Sequence, residues 1–88
     1  MQLSVKDGAV GISAWTLADL RDNEEAMLDH IELPTDFALR LMELGFLPGH
    51  PVSAAHSAPG GDPRVFRVDG GEIALRRETA RHIFLRKH

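Results

Sequence analysis

Apolar residues along the chain come in short blocks whose spacing changes from one block to the next. In Thr16-Leu17-Ala18-Asp19-Leu20 two leucines at i and i+3 follow a hydroxyl that can cap, enough for one helical turn. Asp22-Asn23-Glu24-Glu25 reads as a polar turn. Ala26 to Ile31 is the first strand candidate, although Met27, Leu28 and Ile31 do not alternate cleanly and a helix stays open there. The clearest helix runs from Phe37 to Leu44. Pro34 and Thr35 stand at its entrance, Asp36 places negative charge in the first turn, and Gly45 is the expected left-handed residue beyond its end. At about 100° per residue, Phe37, Ala38, Leu41, Met42 and Leu44 fill one broad arc, opposite Arg40 and Glu43. Leu39 lies at the boundary, either against a neighbouring loop or as an exposed apolar spot that a partner covers.

After the helix the period shortens. Leu47-Pro48-Gly49-His50 fits a type II turn, with proline second and glycine third. Val52 to Ser57 is a strand of small residues, and Ala58-Pro59-Gly60-Gly61-Asp62-Pro63 is a loop. Phe66-Arg67-Val68-Asp69 alternates strictly, and Gly70-Gly71 signals a two-residue hairpin into Glu72-Ile73-Ala74-Leu75-Arg76. Phe66, Val68, Ile73 and Leu75 should face one interior beneath the helix. Glu78 to His82 holds a single helical turn, and Ile83-Phe84-Leu85 is a last short strand. These elements predict a mainly β fold, a small, partly open barrel of the SH3-like kind with one inserted α-helix and short helical turns. Residues 1–15, with Gly8, Gly11 and little periodicity, read as a tail or loosely held edge, and residues 16–88 as the domain.

Composition narrows the picture. Eighty-eight residues make one domain, which at this size buries only about 60% of its unfolded surface. There is no cysteine to reinforce it, so disulfides and thiolate metal sites are excluded. No apolar run approaches the roughly 18 residues of a membrane span, and the N-terminus lacks a basic start and a continuous apolar stretch, so direct membrane insertion is not expected and a cytoplasmic location is. The net charge of −3 argues against nucleic acid as a partner. That charge is uneven: residues 1–36 carry eight acids and two bases, residues 37–88 eight bases and five acids. The division fits two solvated faces or a charged docking surface.

The run Leu41-Met42-Glu43-Leu44-Gly45-Phe46-Leu47-Pro48-Gly49, then Ala58-Pro59-Gly60-Gly61-Asp62-Pro63, then Ile73-Ala74-Leu75-Arg76-Arg77, resembles in order and spacing the ferrous iron transport protein A (FeoA) family. With Thr16 to Leu20 in front and Ala80 and Ile83 behind, the likeness covers about Thr16 to Leu85. The resemblance implies a cytoplasmic SH3-like domain without enzyme activity. It would bind the cytosolic part of the large membrane ferrous iron transporter (FeoB, a GTPase) and modulate it. Asn23-Glu24-Glu25 stands where the family usually carries a glycine, and residues 1–15 extend beyond the shared core.

Candidate chemistry is sparse. Ser4, Ser13, Ser53 and Ser57 lack an elbow motif, and Gly60-Gly61-Asp62 lacks the lysine and following helix of a phosphate loop. Five histidines, His30, His50, His56, His82 and His88, could serve transition metals, but no pair has zincin spacing. His50 and His56 share parity along one strand, so they are the metal candidates, for a weak Fe2+ or Zn2+ site shared between two copies; no cofactor is required. For partner binding the candidates are Leu39 and the guanidinium groups of Arg64, Arg76, Arg77 and Arg81, which can grip carboxylates bidentately. Three functions follow: a transporter accessory protein, a regulatory module of the iron-dependent repressor type, and a metal-bridged homodimer or metal chaperone.

Overall fold

The computed structural model describes residues 15–86. Its five strands are β1 (Glu25–Ile31), β2 (Pro51–Ser57), β3 (Arg64–Val68), β4 (Gly71–Leu75) and β5 (Ile83–Leu85). They form one antiparallel sheet in the order β4-β3-β2-β1-β5. Helix α1 (Thr35–Glu43) is inserted between β1 and β2, and the one-turn helix α2 (Arg77–Ala80) precedes β5. The tail expected for residues 1–15 lies, up to residue 14, outside the described residues; Trp15 packs against the core.

The first turn forms for the reason its residues suggest. Thr16 Oγ1 accepts from Ala18 N–H at 3.2 Å, and Asp19 accepts from Thr16 N–H at 3.0 Å, a reciprocal cap on the 3-10 turn Leu17–Asp19. Strand β1 then changes partner halfway. Glu25, Ala26 and Met27 pair with β2, whereas Leu28, His30 and Ile31 pair with β5, with Asp29 bulged out between them. That bulge explains why β1 does not alternate. Switching partner at a bulge also bends the strand, which curls the sheet towards a barrel without closing it.

Helix α1 ends in a Schellman motif: Phe46 N–H reaches Leu41 C=O at 3.1 Å and Gly45 N–H reaches Met42 C=O at 3.0 Å. Phe46 is thereby driven into the core, where it is fully buried beside Phe66, Leu17, Leu28, Val52 and Ile83. Each such side chain contributes roughly 1.5–3 kcal/mol. The expected turn follows, with Gly49 at φ +85° and His50 N–H on Leu47 C=O at 3.0 Å. Phe66, Val68 and Leu75 are buried and Ile73 packs against them, the shared interior the alternation predicts.

Three local expectations are corrected. Only Ala38 and Leu41 of the α1 arc are buried, while Phe37 and Leu44 are 38% and 45% exposed, so the face that this short helix buries is a stripe narrower than the arc. The hairpin turn is Asp69-Gly70, both at positive φ, with Gly71 already in β4. Asp-Gly suits a type I′ turn, and this register sets Arg67 opposite Glu72; the expected one would have set Asp69 opposite Glu72. Lastly, the loop after β2 contains a 3-10 turn at Pro59–Gly61, possible because Gly60 takes φ +87°.

Candidate functional site

The residues expected to bind partners separate into two groups. Arg64 lies on β3 with the parity of Phe66 and Val68, so its side chain runs over the core and is only 15% exposed. Its guanidinium carbon stands 5.8 Å from the centre of the Phe66 ring, its Nη2 donates to Asp22 Oδ1 at 3.0 Å, and its Nε is buried without a partner. Arg64 therefore covers Phe66 and pairs with Asp22 rather than offering a free cation. Arg76, Arg77 and Arg81 are exposed at α2 and make no ion pair among the described residues. The start of the α2 turn is held by Arg77 N–H on Asp62 Oδ1 at 2.9 Å, at the end of β4 that Arg76 extends. Leu39 is 53% exposed on α1, away from that cluster in the chain.

The two candidate metal ligands lie just before β2 (His50) and near its far end (His56), at most about 20 Å apart at the ordinary rise of a strand. Their shared parity does not hold either. Ala55 is bulged between the Ala54–Phe66 and His56–Val65 pairs, which turns His56 to the face opposite Val52 and Ala54. Both are exposed, and among the described residues no three histidine or carboxylate side chains form a group that could hold a metal ion. One chain thus cannot bring His50 and His56 to one ion.

The most organised histidine is one the sequence did not single out. His30 Nδ1 lies 2.7 Å from Asp29 Oδ2 and its Nε2 2.9 Å from Glu32 Oε2, while its ring stacks on Phe84 of β5 at 4.8 Å and 2°. Arg86 Nε adds a contact to Asp29 at 3.6 Å. Hydrogen bonds to Asp29 and Glu32 raise the His30 pKa above its ordinary 6.5, and the His30 contact holds the Asp29 carboxyl below its ordinary 3.8. The pattern Asp-His-x-Glu was the available signal; only the pairing of His30 with Phe84 completes it.

The outer face of the sheet carries a second polar feature. Glu25, Ser53, Arg67 and Glu72 stand opposite one another on four successive strands, along a shallow depression of about 430 Å³ that Asp69 also lines. Arg67 is held there by Glu72 at 3.5 Å and by Asn23 Oδ1 at 3.4 Å. No described serine is hydrogen-bonded to a histidine.

A mainly β domain with five antiparallel strands in one unclosed sheet and one inserted helix is of the SH3-like class. The FeoA domain profile matches residues 15–87, and the chain belongs to the FeoA family. It is 31% identical over 67 residues to the Fe(2+) transport protein A/Fe(2+) transporter FeoB fusion protein of Porphyromonas gingivalis, covering 76% of this chain. The chain spans only 8% of that protein's length. Among solved structures, Chlorobium tepidum FeoA superposes with a TM-score of 0.75 at 27% identity, covering 80% of this chain and 67% of that one. Stenotrophomonas maltophilia FeoA, crystallised with zinc and described as a prokaryotic SH3 domain protein, gives 0.73 at 30% identity, covering 83% and 91%. Among the described residues no helix is long and apolar enough to cross a membrane.

Proposed function

We propose that this domain is a non-catalytic accessory protein of ferrous iron uptake that docks on the cytosolic part of the membrane ferrous iron transporter and modulates it, which places it in the cytoplasm. The observation that carries the reading is the Porphyromonas gingivalis relative, in which Fe(2+) transport protein A and the transporter FeoB are one polypeptide. Fusion keeps two partners at a high effective concentration, which is useful only where they act on each other. The Stenotrophomonas maltophilia relative, put forward as a ferrous iron transport activating factor, supports the same reading. In this chain Arg76, Arg77 and Arg81, which make no ion pair among the described residues, supply guanidinium groups for acidic side chains on the transporter, and Leu39 supplies an exposed apolar contact. The iron is the transporter's cargo, and no step here requires the domain to hold it.

The deciding experiment mixes the domain with the transporter's soluble nucleotide-binding part, with and without nucleotide, and with the full-length transporter. Binding in at least one state is expected; absence of binding in every state overturns the reading. Any Fe2+ or Zn2+ binding would join His50 or His56 of two copies, since one copy cannot supply both to one ion. Calorimetry with each ion, on the wild type and on His50→Ala and His56→Ala, tests that role.

A further inference from the structure

The two edges of the sheet differ. Beyond β5 the chain covers its own edge: Thr16 bridges Phe84, and Leu85 N–H donates to Trp15 C=O at 2.8 Å. Nothing described covers β4. Because the Asp69-Gly70 turn makes Val68 and Gly71 a hydrogen-bonded pair, Gly71, Ile73 and Leu75 turn their backbone groups to β3. Glu72 and Ala74 turn theirs outward, where they meet no partner among the described residues. Arg76 continues the extended backbone at φ −70° and ψ 150° before the chain coils into α2. An open edge of this kind accepts another strand, and its side chains decide which.

The segment Glu72-Ile73-Ala74-Leu75-Arg76 is complementary to its own reverse. We infer that β4 pairs antiparallel with β4 of a second copy of this chain, about a two-fold axis at Ala74, to make one continuous sheet through both molecules. In that register Glu72 faces Arg76 of the second copy and Arg76 faces its Glu72, on the outer side of the sheet. Ala74 meets Ala74, the smallest side chain where the axis brings the strands together. Ile73 meets Leu75 on the inner side, beside the core that both already touch. The backbone follows the same register. Ala74 exchanges N–H and C=O with Ala74, and Arg76 N–H reaches Glu72 C=O; the Arg76 C=O is already taken by Thr79 and Ala80 N–H at 3.0 Å each, which ends the seam. Shifting the strands by two residues would place Arg76 opposite Ala74, or Glu72 opposite Ala74, and lose both charge pairs. Charge complementarity thus selects one partner and one register.

A seam of five residues buries less than the roughly 1,200 Å² of a stable interface, so the dimer should be weak and concentration-dependent. This inference shares Arg76 with the transporter-docking reading but does not rest on it, and sedimentation of the chain alone reads self-association without the transporter. It is tested by sedimentation equilibrium in EDTA, to exclude metal bridging, on the full chain, Glu72→Arg, Arg76→Glu and an equimolar mixture of the two variants. The wild type should dimerise, each single variant should associate about tenfold or more weakly, since like charges then meet at both ends of the seam, and the mixture should recover wild-type association. Glu72→Arg gives up the Arg67 contact, so its melting curve is recorded too; Arg76→Glu disturbs no described ion pair. A wild type that stays monomeric to about 1 mM, single variants that dimerise like the wild type, or a mixture that does not recover would each overturn it.

Discussion

Gly45, at the end of α1, lies so close to Asp69 in the β3–β4 turn that a Cβ added at Gly45 would sit 2.7 Å from the Asp69 Cβ. Gly45 also has φ +113°, so its lack of a side chain serves both the helix cap and the seating of α1 on the hairpin. Gly45→Ala should therefore cost about 2 kcal/mol or more, from left-handed strain plus displacement of the turn. Gly49, at φ +85° with nothing within 4 Å of an added Cβ, isolates the strain alone, and Gly49→Ala should cost about 1 kcal/mol. Urea denaturation of both variants checks the difference. Equal losses would mean that the contact with Asp69 does not matter.

The Gly45 cap and the inward face of Phe66, Val68, Ile73 and Leu75 were legible in the sequence because each is a local rule, a C′ glycine or a period of two. The bulges at Asp29 and Ala55 were not, since an extra residue in a strand is defined by its partner. They account for the irregular run Met27-Leu28-Ile31 and for the failed pairing of His50 with His56. The hairpin turn lies one residue before the expected position because Gly70-Gly71 and Asp69-Gly70 are both turn signals, and only the cross-strand Arg67–Glu72 pair separates them. The inward direction of Arg64 is also carried by the sequence, since it shares the parity of Phe66 two residues on. His30 became visible only once the bulge carried it onto Phe84.

Arg64 should behave as a structural residue. Replacing it with alanine removes the stem over Phe66 as well as the Asp22 contact, and about 1–2 kcal/mol of stability should go with them. Asp22, 64% exposed, contributes only the exposed half of that pair, so Asp22→Asn should stay within about 1 kcal/mol of wild type. Thermal melts read both changes. If the two variants lose the same amount, the ion pair rather than the packing is what matters.

The His30 cluster makes stability depend on pH. The raised His30 pKa means that its contribution is complete below 6.5 and fades as pH rises through the folded value. The lowered Asp29 pKa contributes in the opposite sense, present above 3.8 and lost as pH falls through its folded value. Both are complete only between these limits and fade beyond them. The melting-temperature gap between wild type and His30→Gln should accordingly be wider near about pH 5.5 than near about pH 8.5, whatever constant part comes from the Phe84 stack. An imidazole titration midpoint at or below 6.5 would contradict the arrangement.

Docking on the transporter should follow exposure rather than the whole set of arginines. Arg77 and Arg81 are exposed and free of ion pairs among the described residues, so the double variant Arg77→Glu, Arg81→Glu should keep its stability within about 0.5 kcal/mol. Its association with the transporter's cytosolic part should nevertheless slow and weaken by about tenfold, and the difference from wild type should shrink as salt is raised. Arg76 is left unchanged in this variant because it also belongs to the β4 edge. Leu39→Asp, on α1, tests the apolar contact by itself: a loss of affinity that persists at high salt assigns Leu39 to the interface. Unchanged binding in both variants would move the docking surface elsewhere, with the acidic row Glu25, Asp69 and Glu72 on the outer face the next to be reversed.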